Sequence, residues 1–175
     1  MQTGTVTLRP VGRDDLPQLE TWRNDPEHGS EYGDFLILHR QQSSIAERWE
    51  VNGLVGEDDG VLLICLDGDP VGELQWHPVS YGPNRGSQAL NLGISIEKSA
   101  RGRGVGTRAQ RLMADFLFTH TTVHRVEACT DVTNQAEQNA LERAGFTREG
   151  VLRGAQFRRG EWHDLVVFSR LRSDS

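Results

Sequence analysis

The segment Arg101-Gly102-Arg103-Gly104-Val105-Gly106 sets two arginines among three alternating glycines, just before an amphipathic stretch. A helix that begins there leaves its first backbone N–H groups unpaired and carries partial positive charge. Glycines let anionic oxygens approach those groups, and guanidinium groups complement phosphate. The chemistry predicted is anion holding, best suited to a pyrophosphate. The spacing excludes two common loops. A P-loop needs Gly-Lys-Ser/Thr, but the only lysine, Lys98, follows Glu97. A dinucleotide fingerprint needs G-x-G-x-x-G in an early βαβ unit, whereas glycines 102, 104 and 106 run G-x-G-x-G. Taken alone, the turn also fits a plain strand-to-helix connection. His120 and His124 straddle a predicted helix end and no His-Glu-x-x-His motif occurs, so no metal site is predicted.

The elements around this turn follow from hydrophobic periodicity. Gln88 to Ile96 alternates Leu90, Leu92, Ile94 and Ile96 and predicts a strand leading into the turn. Val105, Ala109, Leu112, Met113, Phe116 and Leu117 predict a helix running to His120. Upstream, Thr5–Arg9 reads as a strand and Asp14-Asp15-Leu16-Pro17 opens a helix that stops near Asn24-Asp25-Pro26. The polar stretch 27–35 predicts a loop, and 41–55 a second helix. Val61–Leu66 and Val71–His77 form a hairpin about Asp67-Gly68-Asp69, followed by a Gly/Pro loop over 78–86. Downstream come a strand Arg125–Thr130, a helix Asn134–Ala144 stopped by Gly145, and strands over 146–152 and 165–171. The predicted order, βαα-βββ-αβ-αββ, is that of one mixed α/β domain.

Composition agrees. A chain of 175 residues, 36% hydrophobic and 25% charged, suits one soluble globular domain. No apolar run is long enough for a membrane span, and Met1–Arg9 lacks a secretory h-region, so a cytoplasmic protein is expected. Cys65 and Cys129 sit in apolar runs and are expected to be buried free thiols. A formal net charge of -6 argues against a nucleic-acid partner and suits a cationic substrate such as an amine.

The pattern Arg-x-x-Gly-x-Gly between an alternating strand and an amphipathic helix resembles the GNAT acyltransferase superfamily. Further stretches extend the likeness over nearly the whole chain: Thr130–Asn134, Leu141–Phe146, Leu8-Arg9-Pro10, Trp22–Asp25 and Arg159–Asp164. The last three of these, Leu8-Arg9-Pro10, Trp22–Asp25 and Arg159–Asp164, are similar to the branch that acetylates ribosomal-protein N-termini. The resemblance implies a single GNAT-like domain with a mixed, mostly antiparallel sheet of about seven strands, flanked by about four helices, its central strands splayed. It implies acetyl-CoA as donor, with the pantetheine arm lying like an extra strand between Gln88–Ile96 and Arg125–Thr130. Ile96, Glu97 and Lys98 would offer backbone groups to the arm. Arg101, Gly102, Arg103, Gly104, Val105, Gly106 and Thr107 would hold the pyrophosphate. Asn134 would contact a pantetheine amide, with Asn139 nearby. Related proteins are often dimers, which extends to a homodimer here.

The reaction implied is direct attack of an amine on the thioester, which needs positioning, amine deprotonation and oxyanion stabilisation. The chain departs from the family pattern here. The usual general-acid tyrosine falls at Leu141, the branch's serine at Glu137, and a base glutamate found in some members at Leu90. The remaining catalytic candidates are Glu73 as base, directly or through water, and Glu137 as substitute acid or substrate contact. Acceptor contacts are expected from the first two helices, from the 27–35 loop through Glu31, and from 154–164 through Trp162 in a turn. The acceptor classes are a peptide or protein N-terminus, an aminoglycoside-like antibiotic or another small amine; a wider cleft would admit succinyl-CoA. A catalytically silent acyl-CoA sensor is the alternative from another class.

Overall fold

In a computed structural model, residues 4–25, 28, 32 and 44–174 are described. Their strands are β1 (Val6–Pro10), β2 (Gly60–Leu66), β3 (Asp69–Ser80), β4 (Gln88–Ile96), β5 (Arg125–Asp131), β6 (Thr147–Arg158) and β7 (Glu161–Leu171). The helices are α1 (Leu16–Asn24), α2 (Ile45–Asn52), α3 (Val105–His120) and α4 (Gln135–Ala144). All seven strands form one sheet in the order β1-β2-β3-β4-β5-β7-β6. Only the β4–β5 pairing is parallel; the rest are antiparallel. Among the described residues, no helix is long and apolar enough to cross a membrane.

The sheet carries a core on each face. Leu62, Ile64, Leu74, Trp76, Leu90, Leu92, Val126, Ala128 and Phe168 pack on one side with Val105, Met113 and Leu117 of α3 and Leu141 of α4. Val61, Leu63 and Cys65 pack on the other with Leu16, Leu19 and Trp22 of α1 and Ile45 of α2. Strand β2 supplies both, which is why its sequence is a continuous apolar run instead of an alternation.

Helix ends follow local chemistry. Ser44 caps α2 in a capping box with Glu47, and Gly53 at φ 66° ends it. The Asn134 side chain accepts from Glu137 N to cap α4, which Gly145 ends at φ 96°.

Three expectations are corrected. Strand β3 continues through Pro78 to Ser80, where a loop was predicted. Pro78 is tolerated because its partner Leu90 directs its backbone groups toward β5, so no ladder bond is lost. The predicted acceptor turn over 154–164 is a β-hairpin: β6 runs to Arg158, and Arg159 and Gly160, both at positive φ, form its tip. On α3 the inward residue is not Leu112, which is 39% exposed, but Gln110, which is 1% exposed.

Candidate active site

Strands β4 and β5 pair only from Leu90↔Val126 to Leu92↔Ala128, then part. Splayed central strands are therefore present, and the gap opens toward α3. The ladders fix which backbone groups face it. Glu97 N donates to Val71 O at 2.8 Å, so Glu97 turns its N–H toward β3, away from the gap. By antiparallel alternation, Ile94 and Ile96 turn theirs toward β5. Val132 N donates to Asp164 O at 3.2 Å, so alternation along β5 turns Cys129 toward β4. Beyond Leu92, Ile94 and Ile96 on one side and Cys129 on the other thus present strand-like groups across the gap. Of the three backbone positions expected from sequence, Ile96 faces the cleft and Glu97 does not. Lys98 O accepts from Arg101 N in a short helical turn. Ile94 was missed; its signal was the alternation itself, continued one residue pair back.

The glycine turn sits at the mouth of this gap. Gly102 and Gly104 take φ 70° and 72°, which L side chains adopt only under strain. Gly104 is the N-cap of α3 and provides no side-chain cap. The first intrahelical bond is Arg108 N to Gly104 O at 3.3 Å, so Val105, Gly106 and Thr107 N–H groups form the free first turn. Arg103 is exposed beside them. Arg101 is used differently from the phosphate contact expected: its Nε donates to Ile96 O at 2.8 Å and its Nη2 to His28 O at 2.7 Å. It ties the loop to the end of β4. Arg108, absent from the sequence reading, braces the loop through Gly4 O, Arg103 O and Gly104 O.

Across the gap, the Asn134 carbonyl caps α4 through Glu137 N at 3.2 Å, which leaves its amide NH2 as a donor. Asn139 accepts from Gln135 Nε2 at 3.0 Å in an exposed pair, about 200° round the helix from Glu137. Glu137 lies half-buried in the first turn of α4; burial pushes its carboxyl up to about 7, against the Gln110 amide, which favours the charged form. Leu141, at the position of the family's tyrosine, is fully buried core.

On the opposite face, beyond the Val61–Leu63–Cys65 core, polar side chains gather over β3 to β5. Glu73, across from Ser95, is 8% exposed and accepts from Arg23 Nη2 at 3.0 Å, so it is no solvated outward side chain. Next to it, His28 stacks on Trp22 at 4.9 Å, and Trp22 Nε1 donates to Glu97 Oε1. Burial pushes the His28 imidazole down, toward neutrality. Glu127 accepts from Tyr81 and Arg125. Asp131 accepts from Arg158 Nη2 at 2.5 Å, with His163 Nδ1 3.3 Å away. Burial pushes the Asp131 carboxyl up, but bonds from Thr133 and Arg158 outweigh it and hold it at about 2. Trp162 is 69% exposed at the hairpin end and packs edge-on to Phe157 at 5.3 Å. Glu31 lies outside the described residues. Cys65 and Cys129 are both free thiols; Cys65 is buried as expected, while Cys129 is only partly buried. Among the described residues no cluster could hold a metal ion.

Comparison with known proteins places this geometry. Residues 5–147 match the profile of the acetyltransferase (GNAT) domain. "Probable N-acetyltransferase YjcK" of Bacillus subtilis is 34% identical over 87 residues, 50% of this chain and 48% of its own, so the chain spans about half of that relative. L-amino acid N-acetyltransferase AaaT of Escherichia coli is 28% identical over 134 residues, 77% of this chain and 76% of its own. The solved structure of Mycobacterium smegmatis RimJ in complex with CoA-disulfide superposes with a TM-score of 0.78 at 26% identity, covering 98% of this chain and 84% of that one. The parted strands, the glycine-capped helix start and the matched profile agree: this chain belongs to the GNAT acetyltransferase domain family, whose matched relatives are N-acetyltransferases and whose solved neighbour holds coenzyme A.

Proposed function

We propose that the protein transfers the acetyl group of acetyl-CoA to the α-amine of a peptide, protein N-terminus or amino acid. The observation that carries this is the parting of β4 from β5 beyond Leu92 and Ala128, directly before the free first turn of α3. The pyrophosphate lies on the Val105, Gly106 and Thr107 N–H groups, with Gly102 and Gly104 shaping the turn and Arg103 adding charge. Ile94 and Ile96 take the pantetheine amides as a neighbouring strand would, and Asn134 donates from the other wall. Glu73, on the acceptor face, serves amine deprotonation through water. Glu137 holds a proton near the sulfur and returns it to the departing thiolate. Trp162 and Phe157 form an apolar wall at the acceptor side.

The acceptor class follows from charge pairing. Glu73, Glu127 and Asp131, the buried acids on that face, are each bonded to an arginine: Arg23, Arg125 and Arg158. A polycation would meet few unpaired carboxylates among the described residues, whereas a single amine followed by a peptide-like group needs only one. An L-amino acid N-acetyltransferase among the similar proteins supports an α-amine. Coenzyme A release with a panel of N-terminal peptides, free amino acids, spermidine and an aminoglycoside tests this. The peptides or amino acids should turn over at least 10-fold faster than the polycations. Preference for a polycation overturns the α-amine assignment, and tight acetyl-CoA binding with no release on any acceptor would mark a sensor instead.

A further inference from the structure

We propose that the side-chain amide of Gln110 binds the pantetheine arm from the α3–α4 side of the cleft, beside Glu137. Gln110 belongs to the inward stripe of α3 with Val105, Ala109, Met113 and Leu117, all within the apolar core. It is 1% exposed, and neither Nε2 nor Oε1 meets hydrogen-bond geometry with any described residue. Buried amides are as a rule paired.

The location supplies the missing partner. A Cβ placed on Gly106 would lie 3.8 Å from Gln110 Nε2, 3.5 Å from Ile96 Cδ1 and 3.9 Å from Ile94 Cδ1. The amide therefore sits behind the part of β4 that has left β5, one turn along α3 from the pyrophosphate turn. Glu137, from the first turn of α4, is close enough to the Gln110 amide for it to favour the charged carboxylate. A carboxamide carries both a donor and an acceptor, the complement of the amides in a pantetheine arm. A phosphate offers acceptors only and would leave the amide oxygen unpaired. The assignment rests on the cleft being the seat of the arm.

Gln110→Met tests it, since methionine keeps the length and loses both polar atoms. Calorimetry would compare coenzyme A with 3′-phosphoadenosine 5′-diphosphate, which lacks the arm. The expected result is a Kd for coenzyme A about 3- to 10-fold weaker, the loss of one hydrogen bond, with the diphosphate unchanged. The melting temperature without ligand should be at or above that of the wild type, since an unpaired buried amide has been removed. Unchanged coenzyme A affinity, or equal weakening of both ligands, overturns the proposal. Wild-type protein that binds coenzyme A no more tightly than the diphosphate would overturn the arm's seat itself, and this inference with it.

Discussion

Glu137 stands where the family resemblance implies a serine, and its surroundings change what a carboxyl can do. Burial against α3 holds its pKa at about 7, so near neutral pH it is partly protonated and able to donate. Two consequences follow with opposite readouts. If the acid form protonates the thiolate, kcat should fall as pH rises through about 7, and Glu137→Gln should remove that limb. The stability sign is also fixed. A carboxyl raised in the folded state favours folding below its unfolded pKa, 4.5, and loses that contribution as pH rises through 7. Glu137→Gln should therefore raise stability at pH 8 by on the order of 1 kcal/mol, read by urea unfolding, and change it little at pH 4. A kcat profile identical in the two proteins would remove the acid role. At this scale the glycine turn was legible from spacing, whereas Ile96, Asn134 and Glu137 were named only through the family resemblance. Nothing local reveals that the Arg101 guanidinium folds back on Ile96 O and His28 O. Arg108 was missed because its anchor on Gly4 O comes from the other end of the chain, and Gln110 because nothing local shows that its face of α3 is buried.

Among the elements, the end of β5 is the joint between the cofactor wall and the acceptor side. Asp131 accepts from Thr133 N and Oγ1 at the entry to α4 and from Arg158 at the end of β6. Both members of the Asp131–Arg158 pair are about 4% exposed. Asp131→Asn leaves the Arg158 charge buried with a weaker acceptor and should cost about 3 kcal/mol at pH 7, measured by urea unfolding. The Asp131 carboxyl is lowered on folding, so its contribution is present above pH 3.8 and lost as pH falls through about 2. The difference between the two proteins should accordingly shrink below pH 4; a constant difference would mean the charge is not what matters. Periodicity revealed β4 and α3 with their bounds, because each has one buried face. It ended β3 and β6 too early, since Pro78 and the exposed alternation of β6 look like loop until pairing with β4 and β7 is known. The Arg159-Gly160 tip was the overlooked sign of a hairpin.

Over the whole molecule, one sheet with two cores does a single mechanical job: it holds β4 and β5 together at one end and apart at the other. The antiparallel flanks, β3 on β4 and β7 on β5, pair the outer edge of each half along the length of the gap. The layer order and strand count were readable from sequence through alternating element types and the family resemblance. The parting of the strands was implied by resemblance alone, since no residue pattern in β4 or β5 records where their pairing stops. The claim that this gap and the α3 start are the seat of coenzyme A is most directly tested by titrating isotope-labelled protein with coenzyme A and following backbone amide resonances. The account predicts the largest shifts at Ile94, Ile96, Val105, Gly106 and Thr107. It is contradicted if these stay still while the shifts gather elsewhere, as at the surface pocket lined by Glu57, Asp58, Arg85, Thr122 and His124 at the joined end of the two strands.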